Sequence, residues 1–378
     1  MKKDTLKIGF VGAKAGKSFG IRGFAIPNVH EINPTRPNQF DPIPGVELSA
    51  VADVDELSAI RAKEFFGFAN HYTDYLEMIE KEALDAVVVL VPTFLHKQVT
   101  IDCLRAGLHV LCEKPPTNNY QEMEEVAAEV RSSGKKYMFI RQSRFSPAVQ
   151  AARKLVLEGK LGDIYAADAR WIRSRGSQIQ ENAWRSQKDS GGGVLLDLGI
   201  HGIDQAWFCM GNPTPIEVTA ATYTAFKEFS REPENYTADD TFAGSIRFEN
   251  GTFLQCLFAF GINAVHPAAE SDKVEDSLGT EWQISKLYGT RGGIDIKANH
   301  FIDGPVDSLQ VKNIEIRKTS DSDFVVQARH FIESIQRDTE PLNSLDHACQ
   351  LMKMLTALRI SGEERRSIRL EELEAVPA

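Results

Sequence analysis

Val110-Leu111-Cys112-Glu113-Lys114-Pro115-Pro116 reads as an apolar strand ending in a Glu-Lys-Pro turn. Ahead of it stand the run Val87-Val88-Val89-Leu90, then Val91-Pro92-Thr93 and a helix-like stretch that stops at Gly107. Strand, helix and strand in that order predict parallel neighbours, and a run apolar throughout suits a strand buried on both faces. Ligands of such sheets bind outside the carboxyl ends of the strands, which is where Lys114 falls. The same rhythm extends outward. Strands are expected at 7–11, 46–52, 85–91, 109–112 and 136–140, with helices at 55–66 and 97–106. Asp74-x-x-Glu77 and Asn119-x-x-Glu122 are capping boxes for two more helices, the second ending near Gly134.

Beyond residue 140 the pattern changes. Ser146-Pro147 opens a helix to about 158, with proline at its first position. Strands then follow one another at 164–172, 217–226, 241–248, 252–260, 282–288 and 293–297, and Asn250-Gly251 marks a tight hairpin. Strands adjacent in sequence make a mostly antiparallel, open sheet. Two helices, 324–337 and 344–362, close the chain. We therefore expect an α/β fold in two domains, 1–140 with a parallel sheet and 141–378 with the second sheet, the closing helix free to pack back on the first domain. The polar, acidic stretch 266–279 is expected to be a long loop over a site or at a subunit contact.

The chain has 378 residues, 42% of them hydrophobic and 25% charged, ordinary values for a globular protein of two domains. A net charge of -10 argues against nucleic-acid and anionic-membrane partners. No apolar run approaches the roughly 20 residues that span a bilayer, and the first residues lack the apolar stretch of a signal peptide. The five cysteines show no metal-ligand spacing. They are expected to be reduced and buried, in a cytoplasmic protein without a metal.

After the first strand comes Gly12-Ala13-Lys14-Ala15-Gly16-Lys17-Ser18-Phe19-Gly20. Glycines let backbone approach a pyrophosphate at a helix N-terminus, although Lys14 breaks the usual G-x-G-x-x-G. Gly16-Lys17-Ser18 also resembles a P-loop, but Val11 stands where that motif needs glycine. Asp53 ends the second strand, where a carboxylate accepts from ribose hydroxyls and repels a 2′-phosphate. That favours NAD over NADP. Further on, Gly191-Gly192-Gly193 leads to Asp197 and His201, an acid and an imidazole one helical turn apart that can handle a proton.

Taken with Val91-Pro92-Thr93-x-x-His96, Arg144-Phe145-Ser146-Pro147 and Tyr288-Gly289-Thr290-x-Gly292-Gly293, these motifs make nearly the whole chain resemble the Gfo/Idh/MocA oxidoreductases. The resemblance implies a Rossmann domain followed by an α/β domain whose open sheet forms homodimer or homotetramer contacts. It implies NAD(P)-dependent hydride transfer at a hydroxyl of a sugar, cyclitol or related polyol. Lys114, Asp197 and His201 would be the catalytic residues, with a neutral imidazole taking the hydroxyl proton. Gly12, Lys14, Gly16, Asp53, Pro92, Thr93, His96 and Glu113 would face the cofactor. Arg141, Gln142, Arg144, Trp171, Arg173 and Trp184 offer planar donors and aromatic faces to a sugar, although arginines on a strand are otherwise solvated. Lys14 and the proline-rich stretch 25–44 depart from the family pattern and resemble a branch that includes non-catalytic, dinucleotide-sensing regulators. An NAD-dependent glycosidase is a third reading.

Overall fold

The computed structural model describes residues 4–13, 19–27, 40–173, 184–263, 281–305, 307–316 and 319–374. The first stretch of chain builds β1 (Leu6–Val11), α1 (Phe19–Phe24), β2 (Ala25–Pro27), β3 (Phe40–Pro42), β4 (Val46–Ala52), α2 (Glu56–Phe66), β5 (Asn70–Tyr72) and α3 (Tyr75–Lys81). It continues with β6 (Ala86–Val89), α4 (His96–Arg105), β7 (His109–Cys112), α5 (Tyr120–Ser133) and β8 (Tyr137–Phe139). Local chemistry sets the helix ends. The Asp74 and Asn119 side chains accept from Leu76 and Glu122 N–H, and α5 stops at Gly134 in the left-handed region.

Six strands form one parallel sheet in the order β5-β4-β1-β6-β7-β8. The order reverses at β1, which makes a switch point flanked by β4 and β6. Register brings the carboxyl ends level there, with Val11 opposite both Ala52 and Val89. Gly12, Asp53 and Leu90 thus leave the sheet side by side. β2 and β3 pair antiparallel as a separate two-stranded sheet.

The second stretch builds α6 (Pro147–Leu157), β9 (Ile164–Arg173), α7 (Ile200–Cys209), β10 (Pro215–Tyr223), β11 (Thr241–Phe248), β12 (Phe253–Ala259), β13 (Glu281–Gly289), β14 (Gly292–Asp295), β15 (His300–Asp303) and β16 (Gln310–Asn313). With β17 (Ile368–Arg369), a nine-stranded sheet runs β16-β15-β14-β13-β9-β12-β11-β10-β17. Its described pairs are antiparallel apart from β12 with β9. A Cβ on Gly202 of α7 would meet Phe258 and Ala169, so those strand residues face the helix. By the two-residue period, Asp168, Arg170, Leu257, Ile284 and Lys286 point to the opposite face. There Arg170 pairs with Asp168 and Lys286 with Asp295.

Two helices complete the chain, α8 (Asp323–Arg337) and α9 (Leu345–Glu364). The chain divides into two compact units, 1–145 with 319–349, and 146–318 with 350–378. Val325, Ala328, Phe331 and Ile332 of α8 belong to the same core as Phe10, Phe24 and Phe66. The parallel sheet therefore needs a helix supplied from far along the chain to cover its apolar face.

Candidate active site

At the switch point, Gly12 has φ +94°, and a Cβ there would lie 2.7 Å from the Leu90 carbonyl carbon. Only glycine lets the two loops come this close. Asp53 accepts from Ala13 N–H at 2.7 Å and from Asp55 N–H at 3.0 Å, one bond to each carboxylate oxygen. Each oxygen keeps a lone pair for a ribose hydroxyl. Pro92 is exposed beside them, whereas Thr93 is buried at the start of a 3-10 turn. These residues fit a dinucleotide laid across the strand ends. Lys14 and Gly16 lie outside the described residues.

Lys114 is half-buried in the turn after β7, and its N–H donates to the Glu113 carboxylate at 2.8 Å. The Glu113 side chain thereby folds back onto the turn. His96 turns out differently from its expected place at the cofactor. It is 1% exposed, with Nδ1 2.7 Å from the Pro115 carbonyl and Nε2 2.8 Å from the Val91 carbonyl. Both ring nitrogens face backbone carbonyls, and the neutral ring, with one N–H, donates to one of them, which places the ring between the loop after β6 and the Glu-Lys-Pro turn. Burial pushes its pKa down, opposed by those two carbonyls, and the Lys114 charge acts in the same direction as burial.

Arg141 and Arg144 are likewise internal, both 0% exposed. Arg141 donates through its backbone N–H to Gln327 and through Nη2 to Ser143. Arg144 Nη1 reaches the Leu342 carbonyl and His347. The Arg141 guanidinium bonds within its own turn while its backbone N–H reaches α8, and the Arg144 guanidinium reaches the segment after α8. Both side chains are buried, not presented outward as the expected substrate contact requires. Gln142, between them, is half-buried.

In the second unit, Asp197 lies on a π-helical turn, Leu195–Gly199, that runs directly into α7 with His201 in its first turn. The π turn widens the spacing so that residues four and five apart stack along the axis, a geometry common at functional sites. Asp197 is half-buried, and the Arg185 Nε lies 3.4 Å from its Oδ2. The Trp171 ring packs against the His201 ring, centroids 5.4 Å apart. Trp171 Nε1 and Arg173 Nε both donate to Glu281, at 3.2 and 2.9 Å. An imidazole, a carboxylate, an indole face and paired arginines are thus grouped on one side of one sheet. Trp184 begins a short 3-10 helix with Arg185, and its side chain is outside the described residues. Glu281 was not singled out from sequence. It starts a strand opposite Arg173, a register that only the folded sheet reveals.

A model of the oxidoreductase family with an NAD-binding Rossmann fold matches residues 6–140, and one of the GFO/IDH/MocA C-terminal domain matches 149–294. The chain belongs to the Gfo/Idh/MocA family. This Gfo/Idh/MocA protein is 32% identical to the D-glucoside 3-dehydrogenase of Escherichia coli (strain K12), over 58% of this chain and 64% of that one. It is 26% identical to the levoglucosan dehydrogenase of Pseudarthrobacter phenanthrenivorans, over 58% of this chain and 55% of that one. The chain thus spans 64% and 55% of the length of these two curated relatives. A match along 98% of the chain and 97% of the relative, at 24% identity, is with the scyllo-inositol 2-dehydrogenase (NADP(+)) of Bacillus subtilis (strain 168). The solved levoglucosan dehydrogenase in complex with NADH and L-sorbose shares the fold, with a TM-score of 0.81 at 20% identity over 97% of this chain and 99% of that one.

Proposed function

We propose that the protein is an NAD-dependent oxidoreductase that moves hydride between nicotinamide and a hydroxyl-bearing carbon of a sugar, cyclitol or related polyol. The observation that carries this reading is the grouping of His201 with Asp197 one turn before it and the Trp171 ring against it. An indole face takes the apolar side of a sugar ring, and an imidazole beside it takes a hydroxyl proton. Asp197 orients the imidazole or the sugar, and Lys114 polarises the reacting oxygen. When bound, NAD supplies the hydride acceptor, held by Gly12, Asp53, Pro92 and Thr93. The names of the three relatives given above, two sugar dehydrogenases and a cyclitol dehydrogenase, agree with this substrate class.

The test is a screen of polyols, glycosides and sugar acids with NAD, followed at the nicotinamide absorbance. Turnover of a hydroxylated substrate is expected, and a complete set without any would overturn the reading. With that substrate, Lys114→Ala should lower turnover by a factor of roughly a hundred or more while NAD still binds. Near-normal turnover would remove Lys114 from the mechanism.

We also propose a homo-oligomer formed through the sheet face that carries Arg170, Leu257 and Ile284. Tyr288 and Phe253, on the same face by register, are 37% and 42% exposed. No described helix is long and apolar enough to cross a membrane. All five cysteines are free and buried, which supports a cytoplasmic location.

A further inference from the structure

The glycine run 191–193 precedes the helical segment that bears Asp197 and His201, and the dinucleotide fold gives it no task. Its last member has φ +108°, and a Cβ there would fall 2.2 Å from the Asp239 Oδ1. Asp239 comes from the approach to β11. Its backbone carbonyl accepts from Val194 N–H at 2.9 Å, and its Oδ2 accepts from Leu195 N–H at 3.1 Å. These are two of the first helical N–H groups, which have no partner within the helix itself.

The contacts close into a circuit. Gly193 N–H donates to the Arg185 carbonyl at 2.9 Å, and Asp197 N–H donates to the Gly193 carbonyl at 3.0 Å. The side chain of Arg185 in turn meets the Asp197 carboxylate. The position of Gly193 is therefore passed directly to Asp197, and the Asp239 carboxylate occupies the space that any side chain at 193 would need. Neighbouring Asp240 is committed elsewhere, accepting from Ala225 and Phe226 N–H and from Thr241. Burial raises the Asp239 carboxyl to about 6, opposed by the Leu195 N–H, with the Asp240 charge adding to the rise. What the buried side chain supplies at this helix start is an acceptor for an N–H that would otherwise have no partner.

We propose that Asp239 is the positioning residue of the Asp197–His201 pair, its carboxylate holding the first turn of the helix on which both stand. The inference rests on the dehydrogenase reading for its kinetic consequence but not for its structural one. Asp239→Ala leaves Leu195 N–H without its acceptor, whereas Asp239→Asn keeps a side-chain oxygen there. In the full-length protein, amide hydrogen exchange over 193–201 should quicken in Asp239→Ala and stay near wild type in Asp239→Asn. With a substrate in hand, the alanine variant should lose about ten- to a hundredfold in kcat while KM for NAD stays within about twofold, because displacement, not cofactor binding, is affected. The asparagine variant should recover most of that loss. Unchanged exchange over 193–201 in Asp239→Ala overturns the proposal. So does a rise in exchange throughout the chain with no rescue by asparagine, the mark of a general folding defect. Failure of the wild type to turn over any polyol overturns the dehydrogenase reading instead and leaves the exchange result to decide the role of Asp239.

Discussion

Asp53 secures the turn after β1 through Ala13 N–H and its own turn through Asp55 N–H. Its proposed second task is to hold the ribose of the cofactor. A 2′-phosphate would be repelled there, so calorimetric titration should find NAD bound more tightly than NADP; equal or tighter NADP binding would remove that role from Asp53. His109 makes a pH prediction. Its Nδ1 accepts from Lys136 N–H, and burial, then the Lys135 and Lys136 charges, push its pKa down to about 4. Between the ordinary value near 6.5 and about 4 the unfolded chain takes a proton that the folded ring refuses, so stability falls as pH drops through that window. In His109→Gln, urea midpoints measured from pH 7 to about 4.5 should fall less steeply than in wild type. Such residues differ in how readily sequence reveals them. Asp53 is legible because it ends an apolar strand in a rhythm that already implies the sheet. His96, Arg141 and Arg144 sit in equally suggestive motifs, but their partners, Pro115, Gln327 and Leu342, are fixed by tertiary folding.

At the level of elements, α8 is amphipathic and its existence is plain from periodicity, yet nothing in its own residues says which sheet it covers. The fold places Phe331, 0% exposed, in the core with Phe10 and Phe24. Phe331→Ala should therefore cost about 3–5 kcal/mol of stability, read by urea unfolding of the intact protein; a loss under about 1 kcal/mol would mean the helix is a dispensable cover. The segment 195–199 is the converse case. Asp197 and His201 are legible as a pair one turn apart, but the π turn between them is not, because no residue type marks it. Six of the nine strands of the second unit's sheet were legible, but the short edge strands β15, β16 and β17 were not, because two to four residues carry too little alternation. Its parallel β9–β12 contact was not legible, since residues 87 apart, such as Ala166 and Phe253, leave no local signal of their pairing.

For the whole molecule, the one-sided sheet is the feature with the widest reach. Ile284 and Leu257 belong to the face turned away from α7, where the two-residue period would otherwise favour polar side chains. Ile284→Lys should shift sedimentation toward the monomer, and an unaltered sedimentation coefficient would argue against assembly through this face. The chain also crosses between its two compact units at residues 145/146, 318/319 and 349/350, the last of these inside the unbroken helix α9. A single protease cut at any one crossing leaves two covalent tethers intact. Neither unit can be released whole by one nick, and neither can be grafted onto another protein by splicing at one junction. A chimera that borrows the nucleotide-binding half of this chain must carry 319–349 along with it, or its sheet will lack the helix that closes it.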